Sequence, residues 1–299
     1  MRIEEHVAPM VARWIGHLSY PHIAKLGRLI GHLYAILSRR DRATAQRNIE
    51  ACFPELSAEA QKKLWRESLV QIGSNALEGL WVWTHPADEV LREIRHCQGH
   101  ELVQQPLKEG RGVIIMIAHL GQWEVLATYL GHHFEGTFLA RSFGKPAIDK
   151  IVTEGRERAG GHVEYVSKKG LIAFEKTVTE GGLVALLTDQ QPERQHGVFA
   201  PFFNIPTLTT VLLQNLAKRS GAAVITATVK RLPNGGGYDL TFGKPEDGLT
   251  SDDKIVAATA LNRTYEKMIR ACPEQYAWNY KRFKKRPNPQ EAPFYPKKR

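Results

Sequence analysis

Val113-Ile114-Ile115-Met116-Ile117-Ala118-His119-Leu120-Gly121-Gln122-Trp123-Glu124 runs an apolar strand straight into a histidine, with a carboxylate after four intervening residues. On one continuous helix, the five-residue offset between His119 and Glu124 would turn the two side chains apart by roughly 140°. They can act together if His119 ends a buried strand and Glu124 stands in the first turns of the next helix. Gly121 would then make the tight turn between them. Open α/β sheets bind ligands at the carboxyl ends of their strands, so the stretch sets an imidazole where such a fold does chemistry.

Outward from this stretch, strand-like runs recur at 113–118, 137–140, 163–166, 183–188, 223–229 and 238–242. Helical stretches at 122–131, 146–159, 168–180 and 207–219 separate most of them. This alternation predicts an α/β fold, a largely parallel mixed sheet flanked by helices. The last two strands, joined by Pro233-Asn234-Gly235-Gly236-Gly237, read as a hairpin, and a final helix covers 252–271. Before Pro86 the pattern is helical, at 41–52 and at 57–83 behind the start signal Ser57. The chain therefore divides into an N-terminal helical, membrane-associating region (1–85) and an α/β core with a basic C-terminal tail (86–299), read together as one integrated domain.

Residues 7–40 carry the membrane expectation. Ile23, Leu26, Ile30, Leu33 and Leu37 recur at helical spacing, with Leu29 and Tyr34 alongside, while Lys25, Arg28, His32, Arg39 and Arg40 lie mostly off the stripe. Such a helix either grips an acidic lipid surface or packs its stripe on its own domain. The 299 residues carry a net charge of +10, unevenly spread. Residues 1–47 hold eight Lys/Arg and three acids, and 281–299 hold eight and one, so the ends carry +12 and the body 48–280 carries −2. Basic ends suit an anionic membrane surface, an acidic protein or a nucleic acid. A nucleic-acid binder needs basic residues across its folded body, and the near-neutral middle argues against one. Cys52, Cys97 and Cys272 are scattered and odd in number, which indicates neither a disulfide framework nor a metal site. No signal peptide is visible, and no apolar run reaches the roughly 18 residues of a membrane span.

His119, Arg141 and Asp189 each follow a strand-like run, and a parallel sheet would gather them at one edge with Glu124. Arg156 lies on the helix after Arg141, on the face of Asp149. No GxSxG elbow and no neighbouring cysteine offers a protein nucleophile. A histidine–carboxylate pair without one suggests that the substrate brings its own. His119 would take the proton of a substrate hydroxyl that attacks an acyl carbonyl, and Glu124 would hold the imidazole in the productive tautomer. Amide groups at the start of the 122–131 helix, or Arg141, would stabilise the oxyanion. Each residue has a plainer role open to it: His119 and Glu124 a chance spacing, Arg141 and Arg156 surface ion pairs, Asp189 a turn cap. The loop Val198-Phe199-Ala200-Pro201-Phe202-Phe203-Asn204-Ile205-Pro206 either buries its phenylalanines in the core or offers Phe199 and Phe202 as the wall of an acyl pocket.

These elements, in order, resemble the late (lauroyl/myristoyl-type) acyltransferases of lipid A biosynthesis, within the wider lysophospholipid and glycerol-3-phosphate acyltransferase superfamily. The resemblance rests on His119-Leu120-Gly121-Gln122-Trp123-Glu124, on Arg47-Asn48-Ile49-Glu50-Ala51-Cys52-Phe53-Pro54-Glu55-Leu56, and on Arg141, Asp149 and Gly155-Arg156-Glu157-Arg158. It continues through Asp189-Gln190, Gly197 to Phe203, and Pro273 to Trp278 into Lys281-Arg282-Phe283-Lys284. It implies a glycerol-3-phosphate acyltransferase-like fold and acyl transfer from acyl carrier protein, as co-substrate, to a hydroxyl of a phosphorylated glycolipid acceptor, without a cofactor. It implies a catalytic His119/Glu124 dyad and substrate contacts from Gln122, Arg141, Arg156, Asp189, Phe199 and Phe202. The expected location is the cytoplasmic face of the bacterial inner membrane. Arg13, Gly16 and His17 interrupt the stretch where many members carry an apolar anchor, so attachment is expected to be peripheral or weak. The closing stretch Trp278-Asn279-Tyr280-Lys281 departs from the family's more basic pattern and leaves other acceptors open: a mannosylated phosphatidylinositol, an ornithine lipid or a lysophospholipid.

Overall fold

A computed structural model describes residue 15 and residues 17–295 of the chain. The parts of the membrane expectation on 7–14 and 16, and the last basic residues, lie outside the described residues. Ile15 is helical, and the helices α1 (Tyr20–Leu37), α2 (Arg39–Cys52) and the long α3 (Ala58–Thr84), capped by the Ser57 hydroxyl as expected, follow it. After a short α4 (Ala87–Arg92), the strands β1 (Ile94–Gln98), β2 (Val113–Gly121), β3 (Thr137–Ala140), β4 (His162–Tyr165) and β5 (Leu183–Leu187) alternate with α5 (His100–Lys108), α6 (Trp123–Phe134), α7 (Pro146–Glu157) and α8 (Lys168–Thr179). Then come β6 (Gly197–Phe202), β7 (Ile205–Thr210), α9 (Leu212–Ser220), β8 (Ala223–Arg231), β9 (Tyr238–Gly243) and α10 (Lys254–Ala271).

Among the described residues, seven strands form one sheet in the order β1-β9-β8-β2-β5-β3-β4. Strands β8, β2, β5, β3 and β4 are mutually parallel, and β9 runs antiparallel to β8 as the hairpin signal required. The expected α/β architecture is present, and β2 shows why its sequence is continuously apolar. Ile114, Met116, Ala118 and Leu120 face one buried cluster while Val113, Ile115 and Ile117 face the other. A strand covered on both faces has no solvent side on which to place polar residues.

Two assignments change. The expected helix 207–219 begins as strand β7 and becomes helical only at α9. The 198–206 loop is mostly a hairpin, in which Val198, Phe199 and Ala200 pair with Thr209, Leu208 and Thr207. Phe203 and Asn204 close its two-residue turn at φ 48° and 61°, the left-handed geometry such turns require. Strand β1, short and solvent-facing, and helix α5 carried no signal strong enough to be anticipated.

Helix α1 packs against α3 through its glycines. A Cβ on Gly31 would lie 2.2 Å from the Val70 carbonyl oxygen, and one on Gly73 would lie 2.5 Å from the Gly31 Cα. Because the small residues face inward, only part of the expected stripe is buried. Ile23 is enclosed, whereas Leu29, Ile30, Leu33, Ile36 and Leu37 are 40–74% exposed. Among the described residues no helix is long and apolar enough to cross a membrane.

Candidate active site

The period-two pattern that buries β2 also aims His119. It continues the Val113, Ile115, Ile117 face, as Asp189 continues the Leu183, Ala185, Leu187 face of the adjacent β5. The two strands are in register at Ile117↔Leu187, so two residues further on His119 and Asp189 stand side by side. Asp189 Oδ1 lies 2.7 Å from His119 Nδ1, and its Oδ2 accepts the His119 backbone N–H at 3.0 Å. From α10, Tyr265 ties both strand ends just before these residues. Its hydroxyl donates to the Ile117 carbonyl at 3.1 Å and accepts the Thr188 N–H at 3.1 Å. On the other side of the turn, Leu120 bridges to Tyr276 and the His119 carbonyl accepts the Ala277 N–H at 3.0 Å.

Gly121 makes the anticipated turn. Its φ is +61°, and a Cβ there would sit 1.7 Å from the Val229 carbonyl oxygen, so no other residue fits without moving β8. Helix α6 follows, with Glu124 in its first turn. Glu124 was expected to orient the imidazole, and here the structure differs. Both of its oxygens are taken: Arg156 donates to Oε2 and Oε1 at 2.9 and 2.8 Å, the Trp83 indole to Oε2 at 2.8 Å, and the Trp123 indole to Oε1 at 3.0 Å. A carboxylate with four N–H donors has no lone pair left for Nδ1–H, and Asp189 already fills that place. Arg156 reaches Glu124 because Gly155 lets α7 close on the end of α3, where a Cβ would lie 2.6 Å from the Trp83 Cα. Trp123 then stands against the imidazole, with ring centroids 5.2 Å apart.

The electrostatics follow from these contacts. Burial opposes the charged imidazolium, but the charge and hydrogen bond of Asp189, with a smaller contribution from Glu124, outweigh it and raise the His119 pKa above its ordinary value. Burial likewise opposes ionisation of Asp189 and Glu124. The His119 ring holds the first below the usual carboxylate range, and the Arg156 guanidinium with the two indoles holds the second there. The His119 side chain is 25% exposed and that of Asp189 is 1% exposed, so the imidazole reaches solvent from a buried anionic base.

The remaining expected residues separate. Gln122 is fully buried, its amide N–H donated to the Asn75 carbonyl at 3.2 Å and its Oε1 accepting the Glu124 N–H at 3.4 Å, so it caps α6 and ties it to α3. Arg156 is committed to Glu124. Arg141 is exposed at the end of β3. Phe199 is half-buried under the Arg194 guanidinium, whereas Phe202 lies in the core against Phe203 and Phe283. Sequence reasoning missed Trp83, Trp123 and Gln190. The last brings its amide nitrogen 3.3 Å from His119 Nε2. Among the described residues no cluster of His, Cys, Asp or Glu could hold a metal.

Comparison with known proteins gives one consistent answer. A family model described as bacterial lipid A biosynthesis acyltransferase matches residues 6–285. The chain is 30% identical to the lipid A biosynthesis lauroyltransferase of Escherichia coli (strain K12), over 90% of this chain and 88% of that protein. It is 29% identical to the palmitoleoyltransferase of the same organism (92% and 88% covered) and 26% identical to its myristoyltransferase (89% and 81%).

Proposed function

This chain belongs to the bacterial lipid A biosynthesis acyltransferase family, and from that premise we propose that it moves a fatty acyl chain from acyl carrier protein to a hydroxyl of a lipid A precursor, with His119 as general base. The observation that carries this reading is the arrangement of the imidazole. Nδ1–H is held by Asp189, so Nε2 presents its lone pair on the exposed side of the ring. Among the described residues, the side chains in polar or ring contact with His119 are Asp189, Gln190 and Trp123, none of them a nucleophile. A base without a protein nucleophile suits a hydroxyl supplied by the acceptor.

In this reading Asp189 fixes the tautomer and stabilises the imidazolium that forms. Glu124 acts from behind, through its charge and through the indole of Trp123. Arg141, exposed at the same strand edge, meets an acidic substrate group, and Phe199 borders the acyl path. The acceptor is membrane-bound, and the outward side of α1 supports a peripheral position at the cytoplasmic face of the inner membrane. Leu29, Ile30, Leu33, Ile36 and Leu37 would enter the interface while Lys25, His32, Arg39 and Arg40 meet anionic headgroups.

Purified protein incubated with acyl-acyl carrier protein and a phosphorylated, acylated disaccharide lipid should add one acyl mass to the lipid by mass spectrometry. His119→Ala should lose about 10²–10⁴-fold in rate, and full activity in that variant would sink the assignment. Leu33→Glu with Ile36→Glu, both on exposed positions, should weaken binding to anionic vesicles while leaving the melting temperature nearly unchanged. Equal vesicle binding would remove α1 as the contact.

A further inference from the structure

We infer that Gln190 is a further catalytic residue, the side-chain donor that receives the oxyanion of the transfer; this rests on the acyl-transfer reading above. Asp189 and Gln190 follow β5 and bracket one ring from its two nitrogens. The buried carboxylate is 2.7 Å from Nδ1, and the exposed carboxamide nitrogen is 3.3 Å from Nε2. With the ring proton on Nδ1, Nε2 is an acceptor, and the amide N–H is the group that can face it. The opposite amide orientation would set two lone pairs against each other.

The acceptor hydroxyl has to come within about 2.6–3.2 Å of Nε2 to give up its proton. That is the place the Gln190 amide holds, so the arriving hydroxyl displaces it. The attacking oxygen and the developing oxyanion are bonded to the same carbon, so the oxyanion forms beside the position the amide has just left. A donor there has to lie about 2.7–3.1 Å from the oxyanion, within reach of an exposed side chain that keeps both N–H groups.

Several other donors nearby are committed. The Gln122, Glu124 and Val125 amides at the start of α6 give their N–H groups to Val229, to the Gln122 side chain and to the Gln122 carbonyl. Both indoles and Arg156 serve Glu124. Arg141 is the competing donor. In the step itself the hydroxyl oxygen bonds to the acyl carbon, its proton passes to Nε2, and the carbonyl pair moves onto the oxygen held by Gln190. On collapse the carbonyl re-forms, the carbon–sulfur bond of the thioester that joins the acyl chain to acyl carrier protein breaks, and the Nε2 proton goes to the departing carrier thiolate.

The test measures kcat, KM and melting temperature for full-length Gln190→Ala, Gln190→Glu, Arg141→Ala and His119→Ala with acyl-acyl carrier protein as donor. Gln190→Ala should lower kcat about 10²–10³-fold with KM and melting temperature nearly unchanged. Gln190→Glu should fall further, because it puts an anion beside the oxyanion. A kcat within threefold of wild type in Gln190→Ala, a loss confined to KM, or a loss that glutamate does not deepen would each overturn the inference, as would the kcat loss appearing in Arg141→Ala alone. His119→Ala separates the two levels. If it is inactive while Gln190→Ala is not impaired, only the Gln190 role fails; if it is fully active, the His119 base on which the Gln190 role depends fails; and if wild type adds no acyl group, the acyl-transfer reading itself fails.

Discussion

Two buried carboxylates flank the His119–Trp123 ring pair, Asp189 at the imidazole and Glu124 at the indole, and they serve opposite ends. Asp189 is bound to an imidazole, a group that can change its charge near neutral pH. Glu124 is bound to a guanidinium, which cannot. Both carboxyls are held below their ordinary pKa by their partners. The partners differ in what they leave open: His119 is 25% exposed and its Nε2 meets only the exposed Gln190 amide, while Arg156 is 15% exposed and bonded at two of its nitrogens. The same functional group, a carboxylate, therefore sustains a proton acceptor at one site and a permanent ion pair at the other. A carboxylate near a catalytic histidine is assigned by which hydrogen bonds it has left to make.

Substitutions can break this comparison. Asp189→Asn should cost the most activity, roughly 10²–10⁴-fold in kcat, because the amide no longer enforces the Nδ1–H tautomer. Its pH profile should change in a defined direction. The base works as neutral imidazole, so the rate rises with pH through the elevated His119 pKa. Removing the Asp189 charge lowers that pKa and moves the acid limb to lower pH. A profile with an unmoved limb would mean that another group sets it.

Glu124→Ala should act first on stability. It leaves the Arg156 guanidinium buried without its anion, a loss of about 3–5 kcal/mol, read as a lower urea midpoint. Glu124→Gln with Arg156→Met should be less damaging than the two single changes combined, since neither charge is then stranded. Additive losses would separate the two residues. Smallest of all, Trp83→Phe removes one donor to a charged acceptor, about 1.5–3 kcal/mol. It should leave the pH profile in place, because the Asp189–His119 contact is untouched. A shifted limb in Trp83→Phe would tie the two carboxylates into one titrating unit.

The stability of the two sites also diverges with pH. Both carboxyls titrate lower when folded, so their contributions are present above the unfolded carboxylate pKa and are lost as pH falls through the folded values. The elevated His119 pKa adds stability at low pH, and this is lost as pH rises through its folded value.

The sequence made the position of His119 legible because a doubly buried strand reads as an unbroken apolar run, and Gly121 marked its turn. It also put Asp189 at a strand end. The pairing of the two was hidden because strand order is not written locally. Strand β5 follows β3 and β4 in the chain, yet it lies between β2 and β3 in the sheet. Glu124 was read as the partner on nearness in sequence, which says nothing of the four donors that α3, α6 and α7 bring to it. The α1 stripe was legible as amphipathic, but which side faces inward depended on Gly27 and Gly31 meeting α3. A helix packed through glycines turns its larger apolar residues outward. The β6–β7 hairpin was lost because the density of Pro, Gly and Phe reads as loop until its partner strand is known.

The most direct test of the Asp189–His119 pairing is an NMR titration of the His119 ring in three proteins: wild type, Asp189→Asn and Glu124→Gln. The expected result is a wild-type pKa above the ordinary value of about 6.5, a clear fall in Asp189→Asn, and a smaller fall in Glu124→Gln. A His119 pKa that is unchanged in Asp189→Asn, or that falls further in Glu124→Gln, would contradict the assignment.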